Sequence, residues 1–569
     1  MNLTESSKKM ESTIDTVDRI SLLPEFIVHR ILSDLLDSPE ALVRMSVLSK
    51  DWFALTASFP ILNFHKKNIL SVLFGRKDFE WDDDYMRDTF LKYVAYTTSR
   101  FCKQNVSAHT LTIFTGPVVP AEVEIIEDCL ESVLKKGLRA LEIRIKYDQN
   151  MPMLRLPNTL LSAYALTSLT IDQCKLPSSL MVDVVKFKSL KLLSLSFIPI
   201  DEGVIEYLTT SCPLLEEIYL GYCYGFTTFC VYRHHTLRKV QIFCKSRLER
   251  IDIEAPNLRY FHLRNNKDEA PSMNMASCNK LTTFCYQGSS LKSFSDLLSN
   301  FPIIENLSLG LTSPCNHMKV SNHSLRRFEL RSNCDLEEID INTPNLLLFE
   351  YYGKLDRFIY IPFHRKELSK SKGCMKCYPD DESVDTLWFQ KLRRFLDRSN
   401  IFKVLKLILE KMGSIDVEEL KGIKSPPYVL EHVELAVYPI RLSSFPPILD
   451  AVLWCCRPHS LTLNLSMYAD KYHVVQITYE ALLQQEDEGH PNTRIQFVLS
   501  YFCEGKQRFF SDLTLVLKAL SIDQSICGIT FKKEKGAVFT FYISYFYIHV
   551  YNTSIHPHVN IRTVVPEAG

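Results

Sequence analysis

Glycine is scarce, 17 in 569 residues, and its scarcity argues against the loops that cradle phosphates. No Gly-x-Gly-x-x-Gly opens a helix after a strand, and no Gly-x-x-x-x-Gly-Lys-Ser/Thr occurs. A Gly-x-Ser-x-Gly elbow and a His-Glu-x-x-His pair are missing as well. Neither sign of charge is in excess: 66 Lys and Arg balance 66 Asp and Glu, which speaks against a dedicated nucleic-acid binder. Apolar runs are short. The most apolar late stretch, Phe539 to Tyr551, is broken by Ser544 and His549 and falls short of a bilayer. Met1 to Thr16 is polar and lacks the apolar core of a signal peptide. The 17 cysteines are odd in number and scattered singly, unlike a secreted disulfide framework. These features predict a soluble cytoplasmic or nuclear protein. No membrane or nucleic-acid partner is expected.

Cofactor and metal chemistry finds no foothold. Cys374-Met375-Lys376-Cys377 is a single Cys-x-x-Cys without the second pair that tetrahedral zinc needs. Cys455-Cys456 beside Trp454 reads as a buried strand or helix edge, and His234-His235 has no ligand partners nearby in sequence. No catalytic residue stands out, so the expectation is a protein that catalyses nothing itself and needs no cofactor.

What is present begins with a short helical unit. Ile20, Leu23, Ile27, Ile31 and Leu35 recur at helical spacing, and Val28, Leu32 and Leu36 widen the stripe. Ser38 with Pro39 predicts the start of a second helix carrying Leu42, Met45, Val47 and Leu48. A third runs through Trp52, Phe53 and Leu55 and stops near Pro60. Three short helices bury little surface among themselves. Some of these apolar side chains should therefore face a partner.

The order of residues here is specific. Asp18-Arg19-Ile20-Ser21-Leu22-Leu23-Pro24-Glu25, then Ile31-Leu32-Ser33, then Ser46-Val47-Leu48-Ser49-Lys50-Asp51-Trp52 resembles an F-box of the plant type. The resemblance implies docking on a small Skp-type adaptor held by a cullin–RING ubiquitin ligase. Carried over by position, Leu23, Pro24, Ile27, Ile31, Leu32, Val47, Leu48 and Trp52 match the family's apolar positions. Phe26 departs from the pattern, since the family often has an acidic residue there.

A second regularity fills the middle of the chain. Apolar-x-x-apolar-x-apolar recurs from Leu166, Leu190, Leu215, Leu237, Leu258, Leu281, Ile304, Leu325 and Leu346. Intervals of about 21–25 residues lie within the range of leucine-rich repeats. His235-Thr236-Leu237-Arg238-Lys239 returns as His323-Ser324-Leu325-Arg326-Arg327, and Pro256-Asn257-Leu258 as Pro344-Asn345-Leu346 at the same offset. A block of four repeats has been duplicated. Single repeats cannot bury their leucines, so neighbours must stack into a solenoid. The predicted fold class is α/β: an N-terminal three-helix F-box, then a leucine-rich-repeat solenoid. Its parallel strands would line the concave face, with helices or irregular turns on the convex face.

The expected organisation is a disordered tail (1–17), the F-box (18–64), a helical linker (65–105) and repeats (106–356). An exposed loop (357–385, centred on the Lys-, Ser- and Asp-rich Lys366 to Ser383) follows, then degenerate repeats (386–470). The C-terminal region (471–569) is partly strands, and the resemblance admits an FBD-like region there. If the register holds, Glu217, Tyr219, Lys239, Gln241, Tyr260, His262, Arg327 and Glu329 face outward, with Arg264 and Arg331 just after their strands. Aromatic and Arg side chains in such places anchor protein partners. The family resemblance implies a substrate-recognition subunit of a Skp–cullin–F-box ubiquitin ligase. A repeat scaffold or a small-molecule co-receptor acting without a ligase stays open as an alternative.

Overall fold

The computed structural model describes most of residues 23–533, leaving out 35–44, 46–47, 75–83, 147–152, 181–187, 354–371, 378–383, 485–493, 502–506 and shorter interruptions. The N-terminal tail, the F-box-like stretch before Leu23, the helix start at Ser38–Pro39, Val47 and everything after Lys533 lie outside the described residues.

Alternating side chains build one sheet of 19 strands. Sixteen of them, from Ile61–His65 to Cys456–Asn464, run parallel, each paired with its predecessor in the ladder. The nine residues that open the repeated pattern each sit two positions before a strand, and all are buried, eight of them at 0% exposure. Within strands such as Lys239–Cys244 and Tyr260–Asn265, half-exposed and buried residues alternate strictly. That alternation is what a strand with one covered face requires. Phenylalanines reinforce the stack: Phe261 lies on Phe284 (5.5 Å) and Phe284 on Phe301 (5.7 Å).

The covered side differs from expectation in several repeats. Instead of helices or irregular turns, strands return behind the main ladder: the short Thr228–Val231, Arg250–Ile253 and Ser272–Asn274 form one sheet, and Cys315–Ser321 pairs with Leu336–Asn342 in another. The reason is length. Repeats of about 21–23 residues leave little chain for a helix, whereas the longer one after Leu190 accommodates the helix Glu202–Ser211.

The duplication is visible in side-chain hydrogen bonds as well as in sequence. Asn257 Nδ2 donates to the His235 carbonyl (2.6 Å), and Asn345 Nδ2 to that of His323 (2.8 Å). Thr236 Oγ1 donates to the Pro213 carbonyl (2.8 Å), and Ser324 Oγ to that of Pro302 (2.7 Å). His234 Nε2 bonds the Cys212 carbonyl (3.2 Å), a place taken by Asn322 Nδ2 on Phe301 (3.1 Å). These bonds tie each turn to the one before it, so the same spacing regenerates the same stack.

Three expectations are corrected. The stretch read as an exposed loop contains the strand Lys372–Cys377, inserted between Leu348–Gly353 and Phe402–Leu409, with Cys374 buried. Pairing on both sides overrides a composition with poor strand propensity, and the ladder is continuous where a break was expected. Ile61–His65, placed at the end of the helical unit, is the first strand of the sheet. Leu23 lies outside the first helix, which begins at Glu25 after Pro24, whose carbonyl accepts from Ile27 and Val28.

Beyond Cys456–Asn464 the sheet ends differently. Ile526–Lys533 adds antiparallel, followed by Ile495–Tyr501 and Gln507–Phe510. Helices Phe445–Cys455, Lys471–Gln484 and Leu513–Ile522 accompany these strands. Cys455 ends a helix and Cys456 begins a strand, both fully buried. Arg393, 3% exposed, donates to the carbonyls of Trp454 (2.8 Å) and Pro426 (2.7 Å) and lies against the Trp454 ring. No helix among the described residues is long and apolar enough to cross a membrane.

Candidate protein-binding faces

The helical unit has a core of four buried residues, Val28, Leu32, Trp52 and Phe59, with Met45, Leu55 and Ile61 packed against it. Its helices are Glu25–Asp34 and Lys50–Ser58, the latter capped by Ser49, whose hydroxyl accepts from the Trp52 amide (3.1 Å). Of the residues carried over from the F-box resemblance, Leu32 and Trp52 belong to that core. Ile27 and Ile31 are half-buried, and Leu23, Pro24 and Leu48 are exposed. Phe26 is 71% exposed and Leu48 67%. Large apolar side chains thus lie bare on a small unit.

Arg100, on the helix Asp84–Cys102, ties this unit to the sheet. Its guanidinium donates to the Phe53 carbonyl (2.9 Å) and Thr56 Oγ1 (2.8 Å) and covers the Phe53 ring at 3.9 Å. The same helix is pinned to Pro120–Leu134 by Arg87 and Glu122 (2.9 Å).

The second surface is the open face of the sheet. Glu217, Tyr219, Lys239, Gln241, Tyr260, His262 and Glu329 are half-buried on it, and Arg327 is exposed. Arg264 and Arg331 lie within their strands rather than after them. The ladder places Glu217, Lys239 and Tyr260 in one row, and Tyr219, Gln241 and His262 in the next. Most charges here are matched. Lys239 pairs with Glu217 (3.2 Å) and Arg331 with Glu329 (2.7 Å). Arg327 meets the buried Glu350.

Aromatic rings gather between these pairs. Tyr219 and Phe243 are 5.6 Å apart, Phe243 and His262 4.8 Å, and Phe197 stacks on Tyr222 at 5.1 Å. The Lys239 ammonium stands 5.8 Å from the Tyr260 ring. Gly221 makes room for Tyr219: a Cβ there would meet the phenol ring at 2.7 Å. Burial holds His262 down to about 4, aided by neighbouring Arg264, and pushes Cys285 up to about 11 and Tyr219 up to about 12. The thiol and phenol therefore stay protonated near neutrality, and nothing in this set is poised as a nucleophile.

Phe197, Tyr222 and Phe243 were not foreseen. Phe243 follows from carrying the alternation of Lys239 and Gln241 one step further. The other two do not follow, because their backbones turn left-handed just past the strand. Gln173, Phe197 and Tyr222 have φ of 59°, 53° and 55°. Each donates its amide to a carbonyl at the end of the next ladder strand, those of Ser196, Gly221 and Phe243, at 2.9, 2.8 and 2.6 Å. A local αL turn breaks the two-residue period that sequence reading relies on.

Among the described residues no group of three or more His, Cys, Asp or Glu is placed to hold a metal ion. A small apolar space inside the core is lined by Leu193, Leu195, Val204, Ile205, Leu208 and Phe229 rather than by the open face.

Comparison with known proteins agrees with this architecture. The family model described as FBD-associated F-box protein At5g56370, LRR repeats, matches residues 126–293. An F-box/FBD/LRR-repeat protein of Arabidopsis thaliana, At5g22670, is 26% identical over 205 residues, 36% of this chain and 41% of the relative. F-box protein At5g03100 of the same plant is 26% identical over 262 residues, 46% of this chain and 74% of the relative. F-box/LRR-repeat protein 25 is 22% identical over 254 residues, covering 44% and 87%. The chain thus spans under half the length of the first of these relatives and more of the others. In its F-box-like opening and its ladder of leucine-rich repeats, the chain is similar to plant F-box/leucine-rich-repeat proteins.

Proposed function

We propose that this protein is a non-catalytic substrate receptor of a Skp–cullin–F-box ubiquitin ligase. The helical unit docks on a Skp-type adaptor, and the open face of the repeat sheet holds a target protein. The observation that carries the reading is the contrast inside the helical unit: a four-residue core beside Leu23, Phe26 and Leu48 at 37%, 71% and 67% exposure. In this reading Leu23, Pro24, Ile27, Ile31, Val47 and Leu48 meet the adaptor, while Leu32 and Trp52 hold the helices that present them. Ubiquitin transfer is accelerated by raising the target's effective concentration near the ligase, with no acid–base step on this chain. The Arg100 tether keeps the docking unit fixed relative to the first strands, so a held target has a defined reach.

The test is co-expression of the full chain with a plant Skp-type adaptor and co-purification of the complex. The control is the double substitution Leu23→Ala with Pro24→Ala. A stable complex lost in the double variant is the expected result. A well-folded wild type that binds none of several adaptors would overturn the ligase half of the proposal and leave a repeat-type binding scaffold.

A further inference from the structure

Along the edge of the open face where the parallel strands begin, one residue per repeat stands immediately before each strand. Backbone hydrogen bonds link these residues into a continuous rim: Thr167 to Arg139 (2.7 Å), Lys191 to Thr167 (2.8 Å), Glu216 to Lys191 (2.7 Å), Arg238 to Glu216 (2.8 Å), Arg259 to Arg238 (2.9 Å), and on through Thr282 and Glu305 to Arg326. Arg139, Lys191, Arg238, Arg259 and Arg326 are all exposed. Against these five cations the rim sets only Glu216 and Glu305. Lys191 and Arg238 share Glu216, at 3.0 and 3.6 Å. Arg139, Arg259 and Arg326 have no ion-pair partner among the described residues. A chain with no net charge therefore gathers surplus positive charge along this edge, whereas the strand interiors pair their charges internally.

The rim borders the aromatic group directly. Tyr260 follows Arg259 in the chain, Tyr219 and His262 lie in the second outward row from the rim, and Phe243 lies in the third, 5.6 Å from Tyr219 and 4.8 Å from His262. We infer that the target segment held by this face is an acidic, extended peptide carrying an aromatic side chain. Its carboxylates would lie along Arg238, Arg259 and Arg326, and its ring among Tyr219, Phe243 and Tyr260. Strands about 4.8 Å apart put Arg238 and Arg326 roughly 19 Å from each other. An extended chain rising about 3.3 Å per residue covers that distance in about six residues. Glu216 and Glu305 set the class of ligand. They would oppose the evenly charged backbone of a nucleic acid, but a peptide can place neutral residues against them. The inference rests on the receptor reading only for calling the peptide a target; the binding chemistry stands apart from the adaptor.

The probe is a fluorescein-labelled random copolymer of glutamate and tyrosine, titrated with the full chain alone and read by anisotropy at low and high ionic strength, with adaptor binding measured separately. The wild type should bind it, bind polyglutamate more weakly, ignore a lysine–tyrosine copolymer, and lose affinity as salt rises. Arg238→Glu, Arg259→Glu and Arg326→Glu combined should weaken binding by about tenfold or more. The matching triple change to Lys, which keeps the charges, should stay within about threefold. All three positions are exposed, and a cooperative denaturant transition at the wild-type midpoint checks that the reversed variant is folded. A wild type that does not bind the acidic copolymer, or a reversed variant that binds it equally well, overturns the inference. Tighter binding of a labelled single-stranded oligonucleotide would overturn it in favour of nucleic acid. Loss of adaptor binding with copolymer binding intact would sink the ligase reading alone.

Discussion

The helical unit and the repeat sheet solve the same problem of apolar surface in opposite ways. The sheet's leucines are nearly all closed off, because every strand is covered by the next and every turn by the one before it. The helical unit cannot do this. With two described helices of 10 and 9 residues, it encloses four side chains and leaves Phe26 and Leu48 in solvent. Repetition supplies cover from within the chain, whereas a short unit buries little of its own surface. The two regions should therefore answer differently to substitution: apolar residues in the sheet carry stability, and under the proposed docking the exposed apolar residues of the helical unit would carry binding.

The largest effect that sharpens this contrast is expected at Phe261. Its ring is 0% exposed and stacks on Phe284 with planes 24° apart. Phe261→Ala should cost about 3–5 kcal/mol, measured by denaturant unfolding of the full chain. In a stacked solenoid the loss is felt by the neighbouring repeats. A cost below about 1 kcal/mol would show that the stack relaxes around cavities and would break the comparison on the sheet side.

A smaller effect is expected from acid. Burial lowers His262 and His432 from 6.5 to about 4. His262 sits beside Arg264, and His432 among Lys406, Lys532 and Glu434. Between about pH 6.5 and 4 the unfolded chain takes up protons at these sites that the folded chain refuses, so unfolding gains as pH falls through that window. The contribution is present in full above pH 6.5 and has gone by about pH 4. Its size is of order 1–3 kcal/mol for each ring. His262→Gln should flatten the fall in stability across the window. A variant whose stability falls as steeply as the wild type's would remove His262 from the account.

How far this could be read from sequence depended on whether structure was local and periodic. The nine apolar openings, the duplicated block and the outward rows through Lys239 and Tyr260 follow from a two-residue strand period within a fixed repeat length, and all are in the sheet. The strand Lys372–Cys377 was misread because its fitness lies in its two neighbours rather than in its own residues. Three of the strands behind the ladder, of three or four residues, are too short to show a period. Phe197 and Tyr222 escaped because a left-handed turn reverses the side on which a ring emerges. In the helical unit the apolar residues were legible as a set. Their division into core and surface was not, since Leu32 and Leu48 look alike in sequence and differ only in what packs over them.

That division sets the smallest effect on stability and the most discriminating one. Leu48 stands in a turn just before Ser49, the cap of the Lys50–Ser58 helix, and is 67% exposed. Truncating an exposed leucine removes little burial, so Leu48→Ala should change unfolding by no more than about 0.5 kcal/mol. Phe26→Glu, at 71% exposure, should be as mild. If these side chains complete their burial only against an adaptor, Leu48→Ala should weaken adaptor binding by about 1–2 kcal/mol, the value of burying most of a leucine side chain. Isothermal titration of the adaptor against both proteins separates the two quantities. Equal adaptor affinity with unchanged stability would mean that the exposed apolar face is not the docking surface. A large loss of stability would mean that Leu48 belongs to the unit's own core after all, and the contrast between the two regions would dissolve.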